Sequence, residues 1–312
     1  MSINIQEQVP LAGLTSFQVG GPAQYFVEVA TPDEVDEALV WAEEKVLPIF
    51  ILGGGSNLLV SDHGFAGLVI KPITREVKVE NDQVITDAGV ALVKLVLIAA
   101  EHSLSGLEWA MGIPGTIGGA VFGNAGAYGS SINKNVARVT AINLVSYEIK
   151  DFTPDECAFA YRSSFFKQTG EWLIWQVVLN LQPGEQNEIR ALGKKYLDDR
   201  LAHQPRLPSA GCFFKNFTLA QLTATNPEIV KQTAVQAASK GGKLGCGFLL
   251  DRLGVKGMRV GGAMVSPMHA NFIVNDNHAT AADIVALAGE IKQKAQNELQ
   301  VALSEEVRFV GF

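Results

Sequence analysis

Short stretches of this chain carry residue types that could do chemistry. Gly53-Gly54-Gly55-Ser56-Asn57 directly follows the apolar run Pro48-Ile-Phe-Ile-Leu52. Consecutive backbone N–H groups in such a turn form a nest for an anion such as a pyrophosphate, with the Ser56 and Asn57 side chains as further donors. The spacing is not a Rossmann fingerprint, because Leu58 stands three places after Gly55, and no Gly-Lys-Ser/Thr follows to make a Walker A loop. Alone, the triplet reads as a glycine-rich strand-to-loop turn. A second stretch changes that balance: Gly112 to Gly129 holds seven glycines in eighteen residues, interleaved with small or apolar side chains. Such density is needed where φ is positive or where backbone must approach a ligand more closely than a Cβ allows. Two such loops, each beside a strand or helix pattern, point to a backbone cradle for a large dinucleotide cofactor.

Other stretches could supply charge and protons. Tyr161-Arg162-Ser163-Ser164-Phe165 sets an arginine among aromatics, where its permanent charge could fork onto a carboxylate or enolate; a surface arginine lying over a ring is the plainer alternative. Cys212 follows Gly211 and precedes Phe213-Phe214, in a loop just beyond a proline-rich break. A thiol near pKa 8.5 releases a proton far more readily than a hydroxyl, although most cysteines are small buried hydrophobes; Cys157 and Cys246 are read that way. Lys256 and His269 offer donors for an anionic, sugar-like ligand, and Glu306 enters an apolar C-terminal run. By themselves, His269 reads as a satisfied interior imidazole and Glu306 as a rim carboxylate.

The elements that would position these groups follow from periodicity and punctuation. Gln24–Val29 alternates as a strand, and Thr31-Pro32-Asp33-Glu34 is a capping box opening a helix to about Lys45. Pro48–Leu52 is a buried strand. Val77, Val79, Val84 and Thr86 flank Asn81-Asp82 as a hairpin, followed by a helix over about Val90–Glu101. Residues 136–182 read mostly as strands and Glu185–Arg200 as a helix. Gln204-Pro205-Arg206-Leu207-Pro208 marks a domain boundary. Beyond it come a helical region near Leu219–Ser239, a helix near Gly247–Leu253, a strand Asn271–Asn275, a helix opened by the capping box Thr280–Asp283, and a strand Glu306–Val310.

The composition bounds the class. The chain has 312 residues, 47% hydrophobic and 18% charged, enough for two or three domains. A net charge of −7 with no basic stripe argues against nucleic acid as a partner. No signal sequence or membrane-length apolar run is visible, and three cysteines without CxxC spacing fit a reducing cytoplasm and no metal site.

Taken in order, Thr15–Pro22, Leu52–Asn57, Gly112–Gly129, Ala160–Arg162, Ser209–Asn216, Val255–Gly257, His269–Asn271 and Glu306–Arg308 resemble the UDP-N-acetylenolpyruvoylglucosamine reductase (MurB) family, and they span nearly the whole chain. The resemblance implies an α+β fold. An FAD-binding module of the vanillyl-alcohol-oxidase (PCMH) type would comprise two α+β subdomains, residues 1–70 and 71–202. A smaller α+β substrate domain would span 203–300, with a C-terminal strand over 301–312 carrying a catalytic Glu. It implies non-covalent FAD, reduced by NADPH, which then passes hydride from N5 to the enolpyruvyl β-carbon of a UDP-sugar to give UDP-N-acetylmuramate for peptidoglycan. Arg162 and Glu306 would hold the enolate and Cys212 would give the proton; that donor is a serine in many members. Gly53, Gly54, Gly55, Ser56, Asn57, Gly112, Thr116, Gly118, Gly119, Asn124, Gly126 and Arg200 would bind the cofactor. Tyr128, Asn216, Lys256 and His269 would contact the nucleotide-sugar. His203 stands where a lysine is common and Phe217 where a proline is usual. Only 49 residues separate Arg162 and Cys212, which fits the branch lacking a tyrosine-bearing loop. A cytoplasmic monomer, with no nucleic-acid partner and no membrane insertion, is expected.

Three alternatives stay open on sequence, one of them a flavin-binding module without catalysis. An FAD-dependent sugar or alcohol oxidase of the same fold would need no enolate clamp. A cysteine-nucleophile hydrolase using Cys212 with His203 or His269 would leave both glycine-rich loops unexplained.

Overall fold

A computed structural model describes residues 3–312, and its contacts divide them into two compact units. The first comprises residues up to Val9, Ala23–Gly55 and Ala66–Ala202; the second comprises Pro10–Pro22, Ser56–Phe65 and His203–Phe312. The second unit resumes at His203, and its segments Pro10–Pro22 and Ser56–Phe65 come from within the first 70 residues. Residues 301–312 group with the rest of the second unit.

The first unit has two apolar clusters. In one, helix Pro32–Glu44 turns Val35, Ala38, Leu39 and Ala42 onto Val27, Val29, Leu68 and Ile70. Those residues belong to a four-stranded sheet ordered Gln6–Pro10, Pro22–Val29, Phe65–Pro72, Ile49–Ile51, the last two strands parallel. The helix begins at Thr31, whose hydroxyl accepts from the Glu34 N–H at 3.2 Å. The expected capping box is only half made: the Glu34 carboxylate accepts from Ala30 N–H at 2.6 Å, one residue before the cap. The other cluster lies on a five-stranded antiparallel sheet ordered Ile149–Phe152, Val136–Asn143, Trp172–Asn180, Gln83–Asp87, Val77–Glu80. The Asn81-Asp82 hairpin forms where expected, with Asn81 at φ 55°. Helices Leu92–Glu101 and Ile117–Phe122 bring Leu92, Leu95, Val96, Ile117 and Val121 into this cluster.

Residues 136–182 are not strand throughout. A short helix, Phe165–Thr169, starts at Ser164, whose hydroxyl accepts from Lys167 N–H, and stops at left-handed Gly170. The strand Phe65–Pro72 and the helix inside the glycine-rich stretch carry no periodicity of their own, and sequence reasoning missed both.

The second unit is built on a large apolar core containing Phe213, Phe214, Leu249, Leu250, Val265, Ile284, Leu287 and Ile291, with a smaller cluster at Met264, Phe272 and Val274. Antiparallel strands Arg259–Val260, Ala263–Val265 and Ile273–Asn275 form its sheet. The C-terminal strand, shorter than expected at Arg308–Val310, pairs in parallel with Leu58–Val60. The expected helical region over 219–239 is three short helices, because Asn226-Pro227 and Gln232 each end one turn run and cap the next. Helix Ala281–Leu299 has both halves of its capping box at Thr280 and Asp283, and the Asp62 carboxylate accepts from the Ala281 and Ala282 N–H groups at 2.7 and 2.9 Å. No helix among the described residues is long and apolar enough to cross a membrane. Thr280→Ala removes one acceptor from this helix start; a loss of about 1 kcal/mol, or about 2 °C in the melting midpoint, is expected by calorimetry.

Candidate active site

In the first unit the two glycine-rich loops meet. A Cβ on Gly54 would lie 2.5 Å from Gly115 Cα, a backbone collision that no rotamer change relieves. A Cβ on Gly53 would lie 3.1 Å from Thr116 Oγ1. Thr116 is the N-cap of helix Ile117–Phe122 and accepts from Gly119 N–H at 3.3 Å. Gly54 and Gly119 are exposed, so an accessible strip of small residues runs from one loop to the other. Gly118 faces the other way: its N–H donates to Ala88 O at 2.9 Å, and a Cβ there would lie 2.8 Å from Ala88 Cβ. It serves the close packing of helix on strand, a different task from that of Gly119 beside it.

The rest of the stretch is gripped by side chains. Arg200 donates from Nε to Met111 O at 3.0 Å and from Nη2 to Trp109 O at 3.2 Å, and it flanks Gly112. Tyr128 stacks on Tyr196 with centroids 4.3 Å apart and donates its hydroxyl to Asp199 Oδ2 at 2.8 Å. Partial burial, and then that hydrogen bond, push the Tyr128 phenol up to about 12. Gly126 O accepts from Arg162 Nη2 at 3.0 Å, and Asn124 Nδ2 donates to Ala160 O at 2.8 Å. Arg162 is half-buried, has φ 54°, and occupies a two-residue turn closed by reciprocal bonds between Ala160 and Ser163.

In the second unit, Cys212 and Glu306 sit on neighbouring extended segments. Glu306 N–H donates to Phe213 O at 2.8 Å, Lys215 N–H donates to Ser304 O at 2.9 Å, and Phe214 bridges Glu305. Asn57 Nδ2 donates to Glu306 O at 3.1 Å, so this side chain holds the glutamate's backbone. Half-buried Cys212 packs on Met264, Phe272 and Val274. The buried Asn271 grips its loop, accepting from Phe214 N–H at 2.9 Å and donating to Phe214 O at 2.8 Å. Sequence reasoning gave Asn271 no role; its one signal is a polar residue between apolar ones. The other thiols differ in kind. Burial pushes Cys157 up to about 12, and burial, with neighbouring Cys212 and Glu306, pushes Cys246 well above the ordinary thiol range.

The expected sugar-contact residues of this unit are partly committed within it. Asn216 Oδ1 accepts from Cys246 N–H at 2.9 Å, and Lys256 pairs with Asp251 at 2.6 Å. His269 Nδ1 accepts from Asn271 N–H at 3.1 Å, which leaves the ring proton on Nε2. Burial, then the Lys256 charge, lowers the His269 pKa below its usual value.

The strip at Gly53, Gly54, Thr116 and Gly119 fits a diphosphate: it is small, accessible, and offers amides and a hydroxyl without a cation. This site and the α+β build define an FAD-binding oxidoreductase, and comparison with known proteins agrees. The profile described as "FAD binding domain" matches residues 23–146, and that described as "UDP-N-acetylenolpyruvoylglucosamine reductase, C-terminal domain" matches residues 203–310. The UDP-N-acetylenolpyruvoylglucosamine reductase of Solibacter usitatus is 35% identical over 99% of this chain and 98% of its own. That of Synechococcus sp. (strain JA-3-3Ab) is 37% identical over 100% and 93%. The crystal structure of the Thermus caldophilus reductase (MurB) superposes with a TM-score of 0.78 at 31% identity, covering 99% of both chains. The chain belongs to the UDP-N-acetylenolpyruvoylglucosamine reductase family.

Gly54→Ala is expected to weaken FAD binding at least about tenfold while the chain still folds, read from the ratio of flavin to protein absorbance after dialysis. His269 gives a pH signature. Its folded pKa lies below the ordinary 6.5, so the unfolded chain binds the extra proton first, and stability falls as pH drops through 6.5 toward the folded value. Between pH 7 and pH 5.5 the wild type should lose more melting temperature than His269→Gln.

Proposed function

We propose that this enzyme reduces the enolpyruvyl group of UDP-N-acetyl-3-O-(1-carboxyvinyl)glucosamine to the lactyl ether UDP-N-acetylmuramate, a peptidoglycan precursor, at the expense of NADPH. The observation that supports this most is similarity to named reductases along the whole chain. Gly53–Asn57, Thr116 and Gly119 would hold the cofactor by its diphosphate. FAD, when bound, supplies the two-electron chemistry that NADPH and a carbon–carbon double bond cannot exchange without positioning.

The chain's own residues handle charge and proton. Adding hydride to the β-carbon puts a negative charge on the α-carbon and its carboxylate, an enolate. The Arg162 guanidinium, fixed on the Gly126 carbonyl, offers a permanent positive charge with planar donors where that charge grows. Glu306, as the acid or through a water, would share in holding the carboxylate. Cys212 then gives its S–H proton to the α-carbon. The carbon–hydrogen bond forms as the S–H breaks, and the thiolate left behind regains a proton from solvent. Half-burial beside Met264 and Phe272 leaves this thiol partly accessible to a reacting carbon. Tyr128, Asn216, Lys256 and His269 would contact the nucleotide-sugar, His269 as a neutral Nε2–H donor. In this reading the enzyme works as a cytoplasmic monomer, where NADPH and nucleotide sugars are supplied.

Cys212→Ala should leave NADPH-driven bleaching of the flavin intact and cut reoxidation by the enolpyruvyl substrate about a hundredfold or more in stopped-flow. Cys212→Ser should keep substantial turnover. Loss of the bleaching step instead would remove Cys212 from the proton-donor role.

A further inference from the structure

Three hydrogen bonds tie the turn that carries Arg162 to alternate residues of the glycine-rich stretch. Ser164 Oγ donates to Phe122 O at 2.7 Å, Asn124 Nδ2 donates to Ala160 O at 2.8 Å, and Arg162 Nη2 donates to Gly126 O at 3.0 Å. The middle bond is the one in which a side chain of the stretch reaches across to the turn. Asn124 is 7% exposed and Ser164 0% exposed, so water does not compete for either bond. Asn124 is itself fixed: its N–H donates to Val121 O at 3.1 Å at the end of the short helix, and its Oδ1 accepts from Asn133 N–H at 3.4 Å. Its φ of 42° is left-handed, a conformation that asparagine tolerates better than most residues. Arg162, at φ 54°, is left-handed as well, and its turn closes through Ala160, the residue whose carbonyl Asn124 holds. A long arginine in that conformation persists only where its surroundings over-determine it.

We propose that Asn124, rather than contacting the cofactor, is a positioning residue for Arg162: its amide clamps the Ala160 carbonyl and so sets the height and direction from which the guanidinium leaves the turn. The inference rests on the reading of Arg162 as the group that stabilises the enolate. A shift of about 1 Å in a charge-stabilising group is enough to cost a large factor in rate. The effect should therefore fall on the step that builds the enolate. Cofactor retention and reduction by NADPH, which do not use Arg162, should be spared.

The test is a double-mutant cycle on the FAD-loaded enzyme, with Asn124→Asp, Arg162→Ala and both together. Asn124→Asp keeps the size and the left-handed tolerance and removes the N–H donor. Asn124→Gly, which also accepts this φ, serves if the aspartate variant fails to fold, and thermal melting is recorded for each protein. In Asn124→Asp, FAD affinity and the rate of flavin reduction by NADPH should stay within about twofold of wild type, while reoxidation by the enolpyruvyl substrate slows by about 10–50-fold. In the Arg162→Ala background the same change should slow reoxidation by less than about twofold, the non-additivity of two residues acting as one unit. A tenfold loss of FAD affinity, or effects that simply multiply, would overturn the proposal. If Arg162→Ala alone left reoxidation at the wild-type rate, the role of Arg162 in the proposed function would fall instead.

Discussion

The constraint on which the first unit depends is that residues 112–129 must be thin. One side of this stretch is packed: Gly118 lies against Ala88, and Gly112 against Leu197 and Arg200. Another part is open, at Gly119 and toward Gly54. Its carbonyls at Phe122 and Gly126 accept bonds from Ser164 and Arg162. A backbone that has to be approached from several directions has no room for Cβ atoms, and the density of glycine follows from geometry. Rigidity has to come from elsewhere, since glycine supplies none. Arg200, Tyr128 with Asp199, and Asn124 provide it, each by hydrogen bonds of about 3 Å.

Burial sorts the three thiols by what they can do. Cys157 and Cys246 are enclosed and held protonated as inert packing, whereas Cys212 sits half-buried at the edge of an apolar patch. Of the three, Cys212 alone keeps partial access, which the proposed proton donor would need. His269 likewise uses Nδ1 internally, accepting from Asn271 N–H, so its neutral ring carries the proton on Nε2.

Much of this was legible in the chain. The Thr31 cap, the capping box at Thr280–Asp283 and the Asn81-Asp82 hairpin are local signals, written within a few residues of where they act. The order of the motifs around Gly53, Gly112, Arg162, Cys212 and Glu306 pointed to the family. What was not legible depends on tertiary partners. Nothing near Gly118 says that its absent Cβ makes room for Ala88 while that of Gly119 leaves open surface. Asn124 and Arg200 look like donors waiting for a ligand, and only the fold reveals that carbonyls at Ala160, Met111 and Trp109 engage them. The helix Ile117–Phe122 contains two glycines, so propensity argues against it; the Thr116 cap and the packing of Ile117 and Val121 override that preference.

The parallel pairing of Arg308–Val310 with Leu58–Val60 has a consequence for folding. The partners stand far apart in sequence, since Arg308 pairs with Leu58 and Val310 with Val60. Closing this pairing therefore carries the loop-closure entropy of a long intervening chain and is a non-local step of folding. Until it forms, Leu58–Val60 lacks this ladder and exposes a short apolar edge. Its brevity, three residues, limits that hazard.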